Sequence, residues 1–227
     1  LNIVGSSAFP FFRFETTPGV RPANAVMQDD YNQRSNFQFQ TNRPLWPGAT
    51  LDLNMRTDIG YSRNQRVVTD ANGIPTFTNV NKRQTLERSF ISFPDAPWGL
   101  FGDNVEEVIS LYNERKVAIE ADPDTTGRST RLLDALASSF IEGFSSLNFI
   151  PASVARAIPQ LNWTLRWDGI EKFGPFRGIA QRIFLEHAYQ GTYTENARIN
   201  DNGRIIEVQQ IRSGFTPLIG VNLSFDE

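Results

Sequence analysis

The sequence predicts an all-β chain with a helical insertion, its antiparallel strands patterned as the wall of a transmembrane β-barrel. Three observations predict it. Between Thr50 and Tyr61 the odd positions Leu51, Leu53, Met55, Thr57, Ile59 and Tyr61, apolar but for Thr57, alternate with Asp52, Asn54, Arg56 and Asp58, a period of two that places the two sets on opposite faces of one long strand. Globular strands usually run about 5–6 residues, whereas a tilted spanning strand needs about 9–11. Aromatic residues (Tyr61, Trp163, Tyr189, Tyr193, Phe225) cluster near strand ends, as interfacial girdles require, and the charged set suits a wet lumen better than a second packed sheet.

The same alternation recurs along the chain. Phe9 to Glu15 and Gln84 to Phe93 read as strands with poorer alternation, and Phe37, Phe39 and Thr41 oppose Asn36, Gln38 and Gln40. Trp163, Leu165 and Trp167 alternate with Thr164, Arg166 and Asp168; Ile179, Ile183, Leu185, Tyr189 and Tyr193 share parity; so do Phe215, Ile219, Val221, Leu223 and Phe225. About seven strands result. Turn chemistry marks Asn72-Gly73, Gly174-Pro175 and Asn202-Gly203, where Gly and Asn supply positive φ cheaply.

One region departs from this pattern. Val105, Val108, Ile109, Tyr112 and Ile119 fall at helical spacing, with Asn104 and Glu107 in capping-box register, and Leu132, Leu133, Leu136, Phe140 and Phe144 share a second helical face. Asp122-Pro123-Asp124 separates the two helices, and Pro151 and Pro159 bound a short apolar segment around Val154. The organisation expected is therefore barrel strands and loops over 1–102, a mostly helical insertion over 103–160, and barrel strands over 161–227. Strand alternation then puts the connections 63–83 and 171–178 on one side of the sheet and 94–161 and 194–214 on the other. Neither terminus carries a leader pattern, and both read as cuts within a longer chain.

Composition narrows the chemistry. The chain has 227 residues, a net charge of −3, 40% hydrophobic residues, and 18 Phe, 5 Tyr and 4 Trp. That balance fits a folded chain and argues against a dedicated nucleic-acid binder. Zero cysteines exclude a disulfide framework, a thiolate zinc site and a Cys nucleophile, and a single His excludes a multi-His metal centre. His187 and Glu186 are adjacent, so they point to opposite faces of a strand and cannot pair directly; the bland reading is a histidine hydrogen-bonded in the wall or the lumen. Glu120, Asp122 and Asp124 lack the spacing of a Ca²⁺ loop and read as a solvated helix end. Asn162-Trp163-Thr164 matches a glycosylation sequon but opens a strand. No catalytic residue, cofactor site or metal site is expected. The expected lumen-facing set is Asp52, Asn54, Arg56, Asp58, Arg166 and Asp168; the expected lipid-facing set is Leu51, Leu53, Met55, Ile59, Trp163, Leu165 and Trp167.

Three segments carry a resemblance: Gln160-Leu161-Asn162-Trp163-Thr164-Leu165-Arg166-Trp167-Asp168-Gly169-Ile170, then Leu185-Glu186-His187-Ala188-Tyr189-Gln190-Gly191-Thr192-Tyr193, then Phe215-Thr216-Pro217-Leu218-Ile219-Gly220-Val221. In this order they resemble the SprA/Sov family, the outer-membrane translocon of the type IX secretion system. The motif residues are Asn162, Trp163, Gly169, His187, Ala188, Tyr189, Tyr193, Pro217 and Gly220, and the match is specific over about residues 160–222. Leu161 stands where that family usually has Pro, Trp167 where it has Tyr, and Gly191 where it has Ser. The resemblance implies a very wide outer-membrane barrel that exports folded protein cargo. It also implies a PorV-like shuttle barrel beside it, a periplasmic plug protein, and the remainder of the same barrel chain closing the wall within the lipid bilayer. The motifs read as structural. The competing reading is a secreted or surface β-sandwich that binds a partner without transport; a nutrient-uptake barrel would need a plug and a small-solute site.

Overall fold

The computed structural model describes residues 27–69, 72, 74–93, 104–145, 158–200 and 203–225. The expected strand Phe9–Glu15, the segment around Val154, and residues Gly73 and Asn202 lie outside them. The chain divides into two compact units, the smaller holding 1–29 and 64–80 and the larger holding 30–63 and 81–227. In the smaller unit the Thr76 hydroxyl donates to the Val68 carbonyl (3.0 Å) and the Thr78 hydroxyl to that of Arg66 (3.3 Å).

Among the described residues the fold is mostly antiparallel β-sheet with two α-helices. The strands are β1 (Met27–Trp46), β2 (Ala49–Thr69), β3 (Pro75–Ser89), β4 (Asn162–Asp168), β5 (Arg182–Asn200), β6 (Gly203–Phe215) and β7 (Gly220–Ser224). Between β3 and β4 come α1 (Asn104–Ala121) and α2 (Arg128–Phe144). All seven strands belong to one sheet. Along one side of β5 run β3, opposite residues 192–199, and then β4, opposite 184–189. Along the other side run β6, opposite 189–200, and then β7, opposite 182–186. Thus β3 and β4 occupy a single line of the sheet, as do β6 and β7. The larger pattern is an up-and-down meander of five lines: β1, β2, β3/β4, β5, β6/β7.

This arrangement corrects several expectations. The helical insertion leaves from the middle of a strand line, not from a strand end. It therefore does not reverse the chain, and the turns at 171–178 and within 63–83 fall at opposite ends of the strands. The polar stretch 63–83 is mostly strand, because β2 runs to Thr69 and β3 starts at Pro75. The stretch 194–214, expected as a connection, is the end of β5 and nearly all of β6. Its alternation is hidden by a register shift: Asn196 faces Val208 but Ala197 faces Ile206, so Glu207 is an extra residue and the even positions Ile206 and Arg204, not the odd ones, face Ala197 and Ile199. The Asn104 side chain, at the start of α1, donates to the Phe93 carbonyl at 3.3 Å.

The helices form where their spacing predicts, separated by Asp122-Pro123-Asp124, but the expected faces are not the buried ones: α2 buries Ala135, Ala137, Ser139, Ile141 and Gly143, while Leu133 and Leu136 on α2 and Val105 and Ile109 on α1 stay exposed. In α2 one side packs on the sheet and another on α1. Ile141, Phe90 and Tyr193 are fully buried together, with Phe140, Phe144, Leu86 and Ile211 packed against them. The second contact depends on Gly143, where a Cβ would lie 2.6 Å from Val108 Cγ2 and 2.8 Å from the Val108 amide nitrogen. Backbone cannot yield as a flexible side chain can, so Gly143→Ala is expected to splay the helix pair. A cost of about 1–3 kcal/mol follows for such overpacking, readable as a lower unfolding midpoint; an unchanged midpoint would contradict this crossing.

Candidate functional site: a two-faced wall

Cross-strand partners share a face, so the register sorts the side chains. Leu53, Trp163, Tyr189 and Phe215 form one row across four strands; Leu51, Leu165 and His187 form the next; Ala49, Trp167, Leu185 and Val221 a third. The whole expected lipid-facing set, with Met55 and Ile59 by parity along β2, lies on this apolar face. Leu51, Leu53, Met55, Trp163, Leu165 and Trp167 are half-buried. Ile59 is 41% exposed, Phe37 on β1 is 54% exposed and Val221 is 57% exposed.

Asp52, Asn54, Arg56, Asp58, Arg166 and Asp168 share the opposite face. Here the charges pair across strands. Arg166 donates to Asp52 at 3.1 Å and to Glu186 at 3.3 Å, joining β2, β4 and β5. Arg182 donates to Asp168 at 2.9 Å. Asn42 donates to Asp52, extending the row to β1. Asp58 is the exception to solvent exposure: it is buried beneath Asn36, which donates to it at 2.7 Å, and beside Arg56 and Arg34. An open cleft of about 560 Å³ on this face is lined by Arg34, Asp58, Ser62, Arg83, Thr85 and Thr194, among others. Exposed ion pairs of this kind add little stability; their effect is to keep the face wet while leaving few charges uncompensated.

The motif residues gather where the strand lines break. At the β3/β4 break the chain leaves after Ser89 and returns at Gln160, whose N–H donates to the Ser89 carbonyl at 2.9 Å. Three side chains satisfy the backbone groups this exposes. Asn162 accepts from the Gly191 N–H (2.9 Å), Gln160 accepts from the Ile91 N–H (2.6 Å), and the Tyr189 hydroxyl accepts from the Ser92 N–H (2.7 Å) while donating to a neighbouring carbonyl. Asn162 is thus engaged in the fold. Trp163 stacks on Tyr189, with centroids 4.5 Å apart. The β6/β7 break lies across the same stretch of β5. Ala188 donates to the Pro217 carbonyl and accepts from the Thr216 N–H (3.0 and 2.9 Å). His187 Nδ1–H donates to the Leu218 carbonyl at 2.6 Å, with its ring 5.3 Å from that of Phe215. A Cβ on Gly220 would meet Pro217 Cγ at 2.9 Å, and Gly169 holds φ +88° in the turn after β4. Sequence reasoning could not see that these separate motifs converge on residues 188–191, because both breaks are long-range pairings.

Tyr193 has a different role. Its hydroxyl contacts Glu195 and receives a bond from Gln209 Nε2 (2.8 Å), which also donates to the Ala137 carbonyl of α2 (3.2 Å). Glu195 is buried and paired with Arg204. Arg88 is also buried; its guanidinium donates to the Ile158 carbonyl at 3.0 Å and sits over the rings of Phe90 and Tyr193. Sequence reasoning missed Arg88 and Glu195, and their like parity with Leu86 and Tyr193 was the available signal.

The acidic turn between the helices is held by its own carboxylates. Asp122 accepts from Arg131 and from the Asp124 N–H (2.9 Å), and Asp124 accepts from the Thr126 N–H (2.8 Å). The Arg131 bond, then the backbone bond, holds the Asp122 carboxyl below its ordinary value of 3.8, and the Thr126 bonds do the same for Asp124. Lowered carboxyls contribute fully above the unfolded value and lose that contribution as pH falls through the folded one. Amide protection at Asp124 and Thr126 should therefore drop as pH falls below about 3.8; constant protection factors would contradict these bonds. Among the described residues no group of three or more His, Cys, Asp or Glu could hold a metal ion, and no helix is long and apolar enough to cross a membrane. Comparison of the chain with protein-family models and with curated proteins finds no match.

Proposed function

We propose that this chain is part of the wall of an outer-membrane protein-export channel of the type IX translocon kind, with the apolar face against lipid and the charged face lining an aqueous lumen. The observation that carries the reading is the register itself. It aligns three uncharged rows across β2, β4 and β5 on one face and the Asp52–Arg166–Glu186 row on the other. In hydrocarbon every backbone N–H and C=O must be paired, so a spanning sheet must close. Barrel diameter grows with strand number, so a pore wide enough for folded cargo needs more strands than these five lines. The remainder of the same chain supplies them, and a PorV-like shuttle barrel, a plug protein and exported cargo are the partners. No step is catalysed here.

Several features support a barrel wall over a β-sandwich. The meander is up-and-down, and all seven described strands belong to one sheet. β1, β2 and β5 run 20, 21 and 19 residues, about twice the length that crosses a bilayer. Ile59, Phe37 and Val221 stay exposed on the face that a sandwich would cover.

The absence of native cysteine makes the test direct. Single Leu53→Cys and Asn54→Cys variants of the whole protein are reconstituted in lipid vesicles and treated with a membrane-impermeant maleimide. Asn54→Cys should label readily and Leu53→Cys only after detergent is added. Equal labelling of both in intact vesicles, or a chain that stays monomeric in buffer without detergent, would overturn the reading in favour of a binding module.

A further inference from the structure

The helical insertion packs on a specific side of the wall. α2 rests on Tyr193, Ile211 and Leu86. Tyr193 has the same parity on β5 as Tyr189 and His187, and it faces Arg88 and Ile211 in register. The helix pair therefore lies on the apolar face, the same face as Leu53 and Trp163, and on the opposite side of the sheet from Asp52 and Arg166. We infer that the helix pair is a shield on the outer surface of the wall and not a plug in the channel. The inference rests on the face assignment proposed above.

The charges beneath the helices give the reason for a shield. The N-terminal half of β5 carries Ile183, Leu185, His187 and Tyr189 on this face, without a formal charge. In its C-terminal half the same face holds Glu195, and Arg88 lies on the neighbouring β3. A bare carboxylate or guanidinium against hydrocarbon is costly. Both are buried instead: Arg88 is 1% exposed and Glu195 3%. The Arg88 guanidinium is closed off by the Ile158 carbonyl and two rings, and the Glu195 carboxylate by Tyr193 and Arg204. The Gln209 bridge to the Ala137 carbonyl ties α2 over this patch. The strands are long enough to hold a bare lipid-facing band at one end and the shielded patch at the other, at the edge of the hydrocarbon, where the helices take the place of lipid. The outer helix α1 carries Glu106, Glu107, Glu114 and Lys116 and so belongs in water.

The test attaches a bulky group and reads the current through the pore. Single Asn54→Cys and Ile109→Cys variants of the whole protein are inserted in planar bilayers and coupled to a maleimide carrying a long polyethylene glycol chain. Ile109 is 53% exposed on α1. The Asn54 adduct should cut single-channel conductance by at least about half, and the Ile109 adduct should leave it unchanged. A comparable block from Ile109 with the Asn54 block intact would overturn the shield and place the helices in the lumen. No block from Asn54 would instead overturn the face assignment, and the shield with it.

Discussion

Leu53→Arg is expected to impair membrane assembly by about 2–4 kcal/mol, the cost of a cation at the bilayer midplane of a barrel's lipid face, while Asn54→Arg is tolerated. The two positions are adjacent on β2 and differ only in the face they present. Leu53 faces Trp163 in the β2–β4 register and Asn54 faces Asn162. Neighbours of Leu53 across the sheet are rings and aliphatic side chains that offer an arginine no counter-ion. The residues flanking Asn54 on its own face are Asp52 and Arg56, polar surroundings that leave an arginine in contact with water. The quantity to measure is the fraction assembled in the membrane across a denaturant series, for the two variants side by side. Equal tolerance would remove the basis for calling one face lipid-exposed; equal impairment would point to a sheet packed on both sides.

Gly191→Ser is expected to destabilise the fold by roughly 3 kcal/mol, at the upper end of the usual overpacking cost. A Cβ at this position would lie 2.0 Å from the Phe90 carbonyl oxygen and 2.6 Å from the Tyr189 hydroxyl. Neither can retreat. The Phe90 N–H donates to the Gly191 carbonyl at 3.0 Å, and the Tyr189 hydroxyl is bonded to Ser92. Gly214→Ser is the control: it lies opposite Gln190 with nothing within 4 Å of its would-be Cβ, and a shift within about 0.5 kcal/mol is expected. Unfolding midpoints in detergent decide it; matching midpoints for the two variants would show that the close approach to Phe90 is not tight.

Much of the sheet is legible in residue order because period two survives wherever one face is apolar, as in Leu51-Asp52-Leu53-Asn54. The helices are legible for the same reason at period 3.6, and Asp122-Pro123-Asp124 stops the first where its backbone must turn. What period cannot reveal is which strands share a line. Ser89 and Gln160 lie side by side although dozens of residues separate them, and nothing local in either says so. β6 escaped notice because a single extra residue beside Ile206 shifts its parity halfway along. The burial of Arg88 and Glu195 was equally hidden, since their cover comes from Ile158, Arg204 and the ring of Tyr193, each placed by the tertiary fold.

The adjacency of Ser89 and Gln160 has an evolutionary corollary. Exit and re-entry points that touch, with the chain resuming in its original direction, make everything between them a detachable cassette. Gain or loss of such a cassette leaves the count of up and down strands untouched, so a closed cylinder built from an even number of them could acquire or discard the helices without re-threading a single neighbour.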